Sequence, residues 1–285
     1  MADAAISGLV AGAAYAMLGV SIVILFRMTA VLNVAQAVIG AFGTYTVLVS
    51  FEHGAPLVLA TFMGLASAAA LAGACGALLA RWFATATPTT KSAVTIALLI
   101  GLLAVGFRAF GDAPHAIPAL FGDGSVGFFG IQVPLATFAG LAAAIVACVV
   151  VEAILRLTAT GLALRALADR PVTAELLGIP AARLAMSVWA AAGMLSAFSI
   201  LVVAPTRPAS FGVLSFLVVP GLGAALAGGL RSTWGALLGG LGLGVLEALA
   251  AASPALSAYQ SALPVAVIVA ILLFSRRGHR WIEAR

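Results

Sequence analysis

Long apolar stretches alternate with short polar interruptions along this chain. Nine stretches approach or reach the roughly 20 apolar residues that cross a bilayer: 4–26, 34–51, 56–80, 92–110, 133–155, 184–204, 212–230, 234–251 and 260–274. All are expected to be helices, because an open sheet leaves its edge groups unsatisfied in lipid. The second is the less apolar, with Gln36, Thr44, Tyr45, Thr46 and Ser50, and the seventh carries Pro220-Gly221 in its middle. Either could dip in and return. The pattern predicts an all-α fold, a polytopic membrane bundle of about eight or nine segments with one or two broken helices. It forms one domain over residues 1–285.

The longest polar interval runs over 157–183 and holds Arg165, Asp169, Arg170, Glu175 and Arg183. Apolar stretches flank it, so it projects from the membrane. It contains a short helix with start and stop signals. Pro171 suits a first helical position, where its missing N–H costs nothing. Gly178 suits the left-handed residue past the end, and Pro180 prevents resumption. The helix over 171–177 is about 10 Å long, too short to be stable alone in water. Val172 and Leu176 lie one turn apart on one face. That face docks either on the ends of its own spans or on a separate cytoplasmic protein.

Composition agrees with a membrane protein: 64% of the 285 residues are hydrophobic and 8% charged, against about 25% charged in soluble domains. The net charge of +5 reflects orientation rather than nucleic-acid binding. With the N-terminus outside and nine crossings, twelve of the 14 basic residues face inward, as Lys and Arg do in cytoplasmic loops. Only Arg108 and Arg207 face outward. The 157–183 loop and the basic C-terminal tail are thereby cytoplasmic. Cys75 and Cys148 sit in apolar stretches and read as small core residues, not a disulfide framework. The first residues, MADAAISG, lack the basic region of a secretory signal, so the first span is expected to be retained.

Small residues recur at four-residue spacing: Gly8 and Gly12, Gly235 and Gly239, Gly240 and Gly244. Such pairs let helix backbones approach closely in lipid. Polar groups inside the spans need a partner or a cavity; they are Asn33, Gln36, Thr44, Tyr45, Glu152 and Glu247. Glu152 lies one turn from Arg156 and is expected to pair with it. Glu247 lies deeper, either hydrogen-bonded to a neighbouring helix or lining a polar path. Asn33, Gln36, Tyr45 and Glu247 are the candidate path or gate residues.

No enzymatic constellation is visible. His53, His115 and His279 are scattered, and no metal-ligand spacing recurs. The outer loop with Asp112, His115 and Asp123 reads as a solvated docking or gating surface. The single lysine, Lys91, follows TPTT, so no phosphate-binding G-x-x-x-x-G-K-[ST] loop exists. No cofactor is expected on this chain, and if ATP drives it, another polypeptide supplies the nucleotide site. Segments one and two form a span followed by a polar, Gly-rich segment, and segments six and seven do the same from the opposite side. Inverted pairs with interrupted helices mark transporters, so segments one to four and six to nine are expected to be inverted repeats joined by segment five. An ion-coupled transporter, a membrane enzyme and a structural scaffold are the competing readings.

The ordered set Gly161, Arg165-Ala166, Asp169, Ala174, Leu177-Gly178-Ile179 and Arg183 resembles the cytoplasmic coupling region of branched-chain amino acid ABC transporter permeases. Gly212, Ala227-Gly228-Gly229, Gly235-Ala236, Gly239-Gly240, Gly244 and Glu247 resemble that family downstream, and Gly8, Gly12, Tyr15-Ala16, Asn33, Ala35 and Gly43-Thr44-Tyr45 upstream. Departures include Asn33-Val34-Ala35-Gln36-Ala37, where the family commonly has N-F-A-H-G. The resemblance implies a permease subunit of a bacterial inner-membrane importer for branched-chain or other small amino acids, amides or urea. It implies ATP-binding cassette subunits using ATP and Mg, a second permease (paralogue or self) and an extracytoplasmic binding protein. It also implies that Arg165, Ala166, Asp169, Glu175, Leu177, Gly178 and Ile179 meet the ATPase.

Overall fold

The structure, a computed structural model, describes residues 2–122, 124–128, 131–206 and 210–280. Asp123 and Arg207, named above, and the end of the basic C-terminal tail from residue 281 lie outside the described residues. The order is α1 (Ala2–Thr29), α2 (Gln36–Glu52), α3 (Leu57–Trp82), α4 (Pro88–Phe110), β1 (Ser125–Phe128), β2 (Ile131–Pro134) and α5 (Leu135–Leu157). There follow α6 (Ala159–Asp169), α7 (Pro171–Leu176), α8 (Ala181–Val203), α9 (Phe211–Ser215), α10 (Val218–Ala227), α11 (Thr233–Ala252) and α12 (Leu263–Arg280). The chain is a polytopic helical membrane bundle. Among the described residues, seven helices are long and apolar enough to cross a bilayer.

The two segments that fall short are the second and the seventh. Residues Gln36–Glu52 and Phe211–Ala227 span 17 residues each. The seventh is broken between α9 and α10, where the Leu217 N–H bonds Leu214 O three residues back and the Val219 N–H bonds Phe216 O. The break places Pro220 in the first turn of α10, where backbone N–H groups lack helical partners anyway. Two elements were not read from the sequence: the helix α6 and the antiparallel β1–β2 hairpin. The hairpin adjoins the start of α5 and α6 adjoins its end, so they lie at opposite ends of a 23-residue helix. These are called the hairpin end and the α7 end below.

α1 and α8 are the most enclosed of the long helices. Around them the packing is paired. Exchanging α1, α2, α3 and α4 for α8, α9–α10, α11 and α12 maps the main interfaces onto one another. The α1–α11 interface corresponds to α8–α3, α1–α10 to α8–α2, α2–α3 to α10–α11, and α2–α4 to α10–α12. All eight are present, and α1 against α8 maps onto itself. This is the packing that an inverted repeat requires. It also interlocks the halves, since each central helix packs most extensively on the other half.

Backbones meet where side chains are smallest. A Cβ on Gly240 would strike the backbone of Ala16, and one on Gly244 the backbone of Gly12. Gly235 and Gly239 instead face Gly228 and Ala227 on the α10 side. Two glycine stripes on α11 therefore serve two neighbours. In the paired α3–α8 interface, Gly193 meets Ala68 and Ala72. Without a hydrophobic drive between helices in lipid, such close packing holds the bundle.

The connection from α1 to α2 is non-helical yet buried at Val31, Asn33 and Ala35. Irregular backbone is tolerated at membrane depth only when protein satisfies it. Here α4 does so: the Leu32 N–H bonds Ser92 Oγ at 3.1 Å and the Val34 N–H bonds Thr95 Oγ1 at 3.1 Å. Thr95 Oγ1 in turn donates to Leu32 O at 3.0 Å. These contacts are available because α4 begins at Pro88, four residues before the expected start, with Thr87 as its N-cap.

Candidate functional site

Three places carry the polar groups singled out above. The first is the α7 end. Thr158 ends α5 and caps α6, its Oγ1 donating to Ile154 O at 2.6 Å and accepting from the Gly161 N–H at 3.0 Å. A Cβ on Gly161 would strike Ile154 O and Leu155, so α6 folds back tightly on α5. Gly161, Leu164 and Leu167 face inward, leaving Arg165 and Asp169 exposed and Ala166 half-buried. The 3.6-residue period explains this amphipathic face, which was not read from the sequence although Leu164 and Leu167 carry its signal.

α7 ends at Leu176, one residue before the expected bound, and Leu177 forms its cap. Gly178 has φ +83°. Its N–H bonds Glu175 O at 2.9 Å, and the Ile179 N–H bonds Ala174 O at 3.1 Å. That pair of bonds is the Schellman termination that a left-handed glycine permits. Among its described side chains the helix seats Ala174, which is 2% exposed, while Val172, Leu176 and Leu177 are 71%, 83% and 78% exposed. The shared face of Val172 and Leu176 is therefore not covered by the span ends of this chain. Beneath α7 lies a cavity of about 420 Å³ lined by Arg27, Lys91, Leu164, Leu167, Glu175 and Trp189.

Beside this end, Glu152 joins three helices. It pairs with Arg156 at 2.7 Å, as spacing implied, and also with Arg27 of α1 at 3.3 Å. Thr233, the first residue of α11, donates to Glu152 Oε1 at 2.8 Å. The Arg27 and Thr233 contacts were not legible, since 125 and 81 residues separate them from Glu152.

The second place is the start of α2. Asn33 Nδ2 donates to Gln36 Oε1 at 2.8 Å, and Asn33 Oδ1 accepts from the Ala35 N–H at 3.0 Å. Gln36 Nε2 donates to Ala192 O, at the middle of α8, at 2.7 Å. Ser196 Oγ returns a bond to Gln36 O at 2.8 Å. Asn33 and Gln36 thus tie the start of α2 to α8, and both are buried. Tyr45 lies further along α2, buried in an aromatic cluster. Its ring stands 5.0 Å from Phe110, 5.5 Å from Phe211 and 5.7 Å from His115. His115, read as part of a solvated loop, stacks its edge on this cluster, while Asp112 Oδ1 meets the Gly212 N–H at 3.4 Å.

The third place lies where α1 meets α11. Tyr15 of α1 donates its hydroxyl to Glu247 Oε2 of α11 at 2.7 Å. The pair lines a cavity of about 310 Å³ with Phe216, Leu217 and Pro220 at the break between α9 and α10, and with Gln260 and Ser261. The four candidate path residues therefore do not form one cluster: Asn33 and Gln36 join, and Tyr45 and Glu247 stand apart. Tyr15 was not singled out as an interior polar group, although it is the one tyrosine in the first apolar stretch.

Residues 4–272 match the family described as branched-chain amino acid transport system / permease component. No curated protein and no solved structure matches the chain.

Proposed function

Because this chain belongs to the branched-chain amino acid transport permease family, we propose that it is the membrane subunit of an ATP-driven importer for branched-chain or other small amino acids or related solutes. A second permease, the same chain or a paralogue, completes the path. Two ATP-binding cassette subunits use ATP and Mg, and an external binding protein delivers the solute. The α7 end faces the cytoplasm, as does the C-terminus. Arg27, Arg81, Lys91, Arg156, Arg165, Arg170, Arg183 and Arg231 lie at or beside the ends of elements there, as cytoplasmic loops require.

The observation that carries this reading is α7. A six-residue helix is held in one geometry by Ala174 and a Schellman turn, yet presents Val172, Leu176 and Leu177 outward. An amphipathic helix laid into a partner's groove is a recurring recognition mode. Nucleotide binding in the partner moves α7. Because α6 is clamped on α5 and α7 leads directly into α8, that motion reaches the centre of the bundle as rigid-body rocking.

The test is co-purification with the partner ATPase and ATP-driven uptake in proteoliposomes. Leu176→Glu should insert normally and lose both. Undiminished ATPase binding and uptake would overturn the reading. Gradient-driven uptake by this chain alone would select a secondary transporter.

A further inference from the structure

The cavity around Glu247 is built differently from the rest of the bundle. Glu247 is the fifteenth of the 20 residues of α11, which puts it about 8 Å from the hairpin end of that helix at 1.5 Å per residue. A carboxylate within a spanning helix is costly unless it faces a cavity or a partner, and marks function by default. Here it faces both. Tyr15 holds one oxygen at 2.7 Å, which orients the carboxylate. The cavity opens at a helix break, the feature that places substrate sites in transporters. Its volume of about 310 Å³ falls at the lower end of the roughly 300–1,000 Å³ of small-molecule sites.

The lining defines the ligand chemistry. Phe216 and Pro220 offer an apolar wall, and Gln260 and Ser261 offer neutral hydrogen-bonding groups near the mouth. An ionised carboxylate only accepts hydrogen bonds, and its bonds to charged donors are the strongest. A neutral amide or urea can donate to the carboxylate but leaves its charge uncompensated, whereas an ammonium both donates and neutralises it. A solute bearing an ammonium group and a short apolar body fits every wall. Val213 on α9 and Phe216 just after it line the cavity and are exposed.

From this geometry we infer that Glu247, oriented by Tyr15, receives the ammonium group of the transported solute, which selects amino acids or amines over amides and urea. The inference rests on the transport reading above. It assigns Glu247 as a binding residue and Tyr15 as a positioning residue.

The experiment places a reporter thiol beside the mouth with Ala262→Cys, at an exposed position next to the lining residue Ser261, in the full chain, in proteoliposomes, and follows its reaction with an impermeant maleimide. Leucine and 3-methylbutylamine, which carry the ammonium, should slow labelling. 4-Methylpentanoate and the neutral 4-methylpentanamide, which lack it, should not, and equal protection by the amide overturns the selectivity. Adding Glu247→Gln should weaken the protecting concentration of leucine by about tenfold or more, the value of a charge-assisted hydrogen bond. Tyr15→Phe should weaken it less, and Glu247→Asp should retain part of it. Labelling indifferent to both ammonium compounds overturns the inference, as does equal protection by 4-methylpentanoate or protection that survives Glu247→Gln. The single Ala262→Cys variant decides the matter even if Glu247→Gln fails to fold. The assay needs no ATPase, so its failure is distinguishable from failure of the ATPase pairing.

Discussion

Gln36 and Ala192 stand 156 residues apart in the chain, yet the side-chain amide of one donates to the carbonyl of the other at 2.7 Å. The bond fixes where α2 begins, partway along α8 and inside the bundle. Replacing Gln36 with Leu keeps the volume but removes this bond and the acceptor for Asn33 Nδ2. The expected loss is about 1–3 kcal/mol, the cost of stranding a buried polar group. Thermal unfolding in detergent measures it, and a loss confined to surface values would show that the contact does not anchor α2.

Close backbone approach makes a second, sharply paired expectation. Gly244→Val forces a side chain into the backbone of Gly12, whereas Gly242 on the same helix has nothing within 4 Å. The first should cost about 1–3 kcal/mol or more by overpacking. Gly242→Ala should be neutral or stabilising by up to about 1 kcal/mol, since alanine favours the helix. Comparing midpoints of the two variants checks the α1–α11 interface directly.

The Glu152 hub should respond asymmetrically. Arg156 has 72% of its side chain exposed, against 27% for Arg27 and 14% for Glu152. Arg156→Ala should change stability by less than about 1 kcal/mol, the usual value of an exposed pair. Glu152→Ala removes the contacts to α1 and α11 together and should cost about 1–3 kcal/mol. A double-mutant cycle between Arg27 and Glu152 would isolate the inter-helix part. No coupling in that cycle would reassign the cost to Thr233.

α7 separates folding from partnership. Leu176→Glu alters an exposed side chain and should leave the unfolding midpoint within about 0.5 kcal/mol in free energy, while abolishing ATPase capture. Ala174→Leu, at the seated position, should unseat α7 and weaken capture by changing its presentation. If Leu176→Glu bound the ATPase as well as the parent, the exposed face would not be the grip.

Gly178 offers a third handle on the same helix. At φ +83° a β-branched residue is strained by roughly 1–2 kcal/mol, so Gly178→Val should loosen the turn into α8. The expected phenotype is ATP hydrolysis without matching uptake, read as a fall in solute transported per ATP consumed. An unchanged ratio would mean that the turn transmits no motion.

Much of the bundle was legible because lipid imposes a simple code. Length and apolarity marked each long span, and a polar or proline-bearing interior marked the second and seventh segments as the irregular ones. Pro171, Gly178 and Pro180 delimited α7 to within one residue, because backbone chemistry at helix ends is local. α6 was missed, since its signals are Leu164, Leu167 and the Thr158 cap, a short pattern with no proline or glycine marking its ends as Pro171 and Gly178 mark α7. The hairpin was missed because two four-residue strands carry little periodicity amid Gly and Pro.

The sequence by itself determined the class of molecule, the number of apolar segments, the position of the exposed handle and the inventory of interior polar groups. All follow from local composition and short-range backbone rules, and so does the expectation of inverted halves. Tertiary structure alone decided who meets whom. It sent Glu247 to Tyr15, bound Gln36 to α8, tied Glu152 to α1 and α11, and turned Val172 and Leu176 outward while seating Ala174. Those choices depend on which helix faces converge, and in lipid convergence is set by steric fit between distant small residues such as Gly244 and Gly12, which no local pattern encodes.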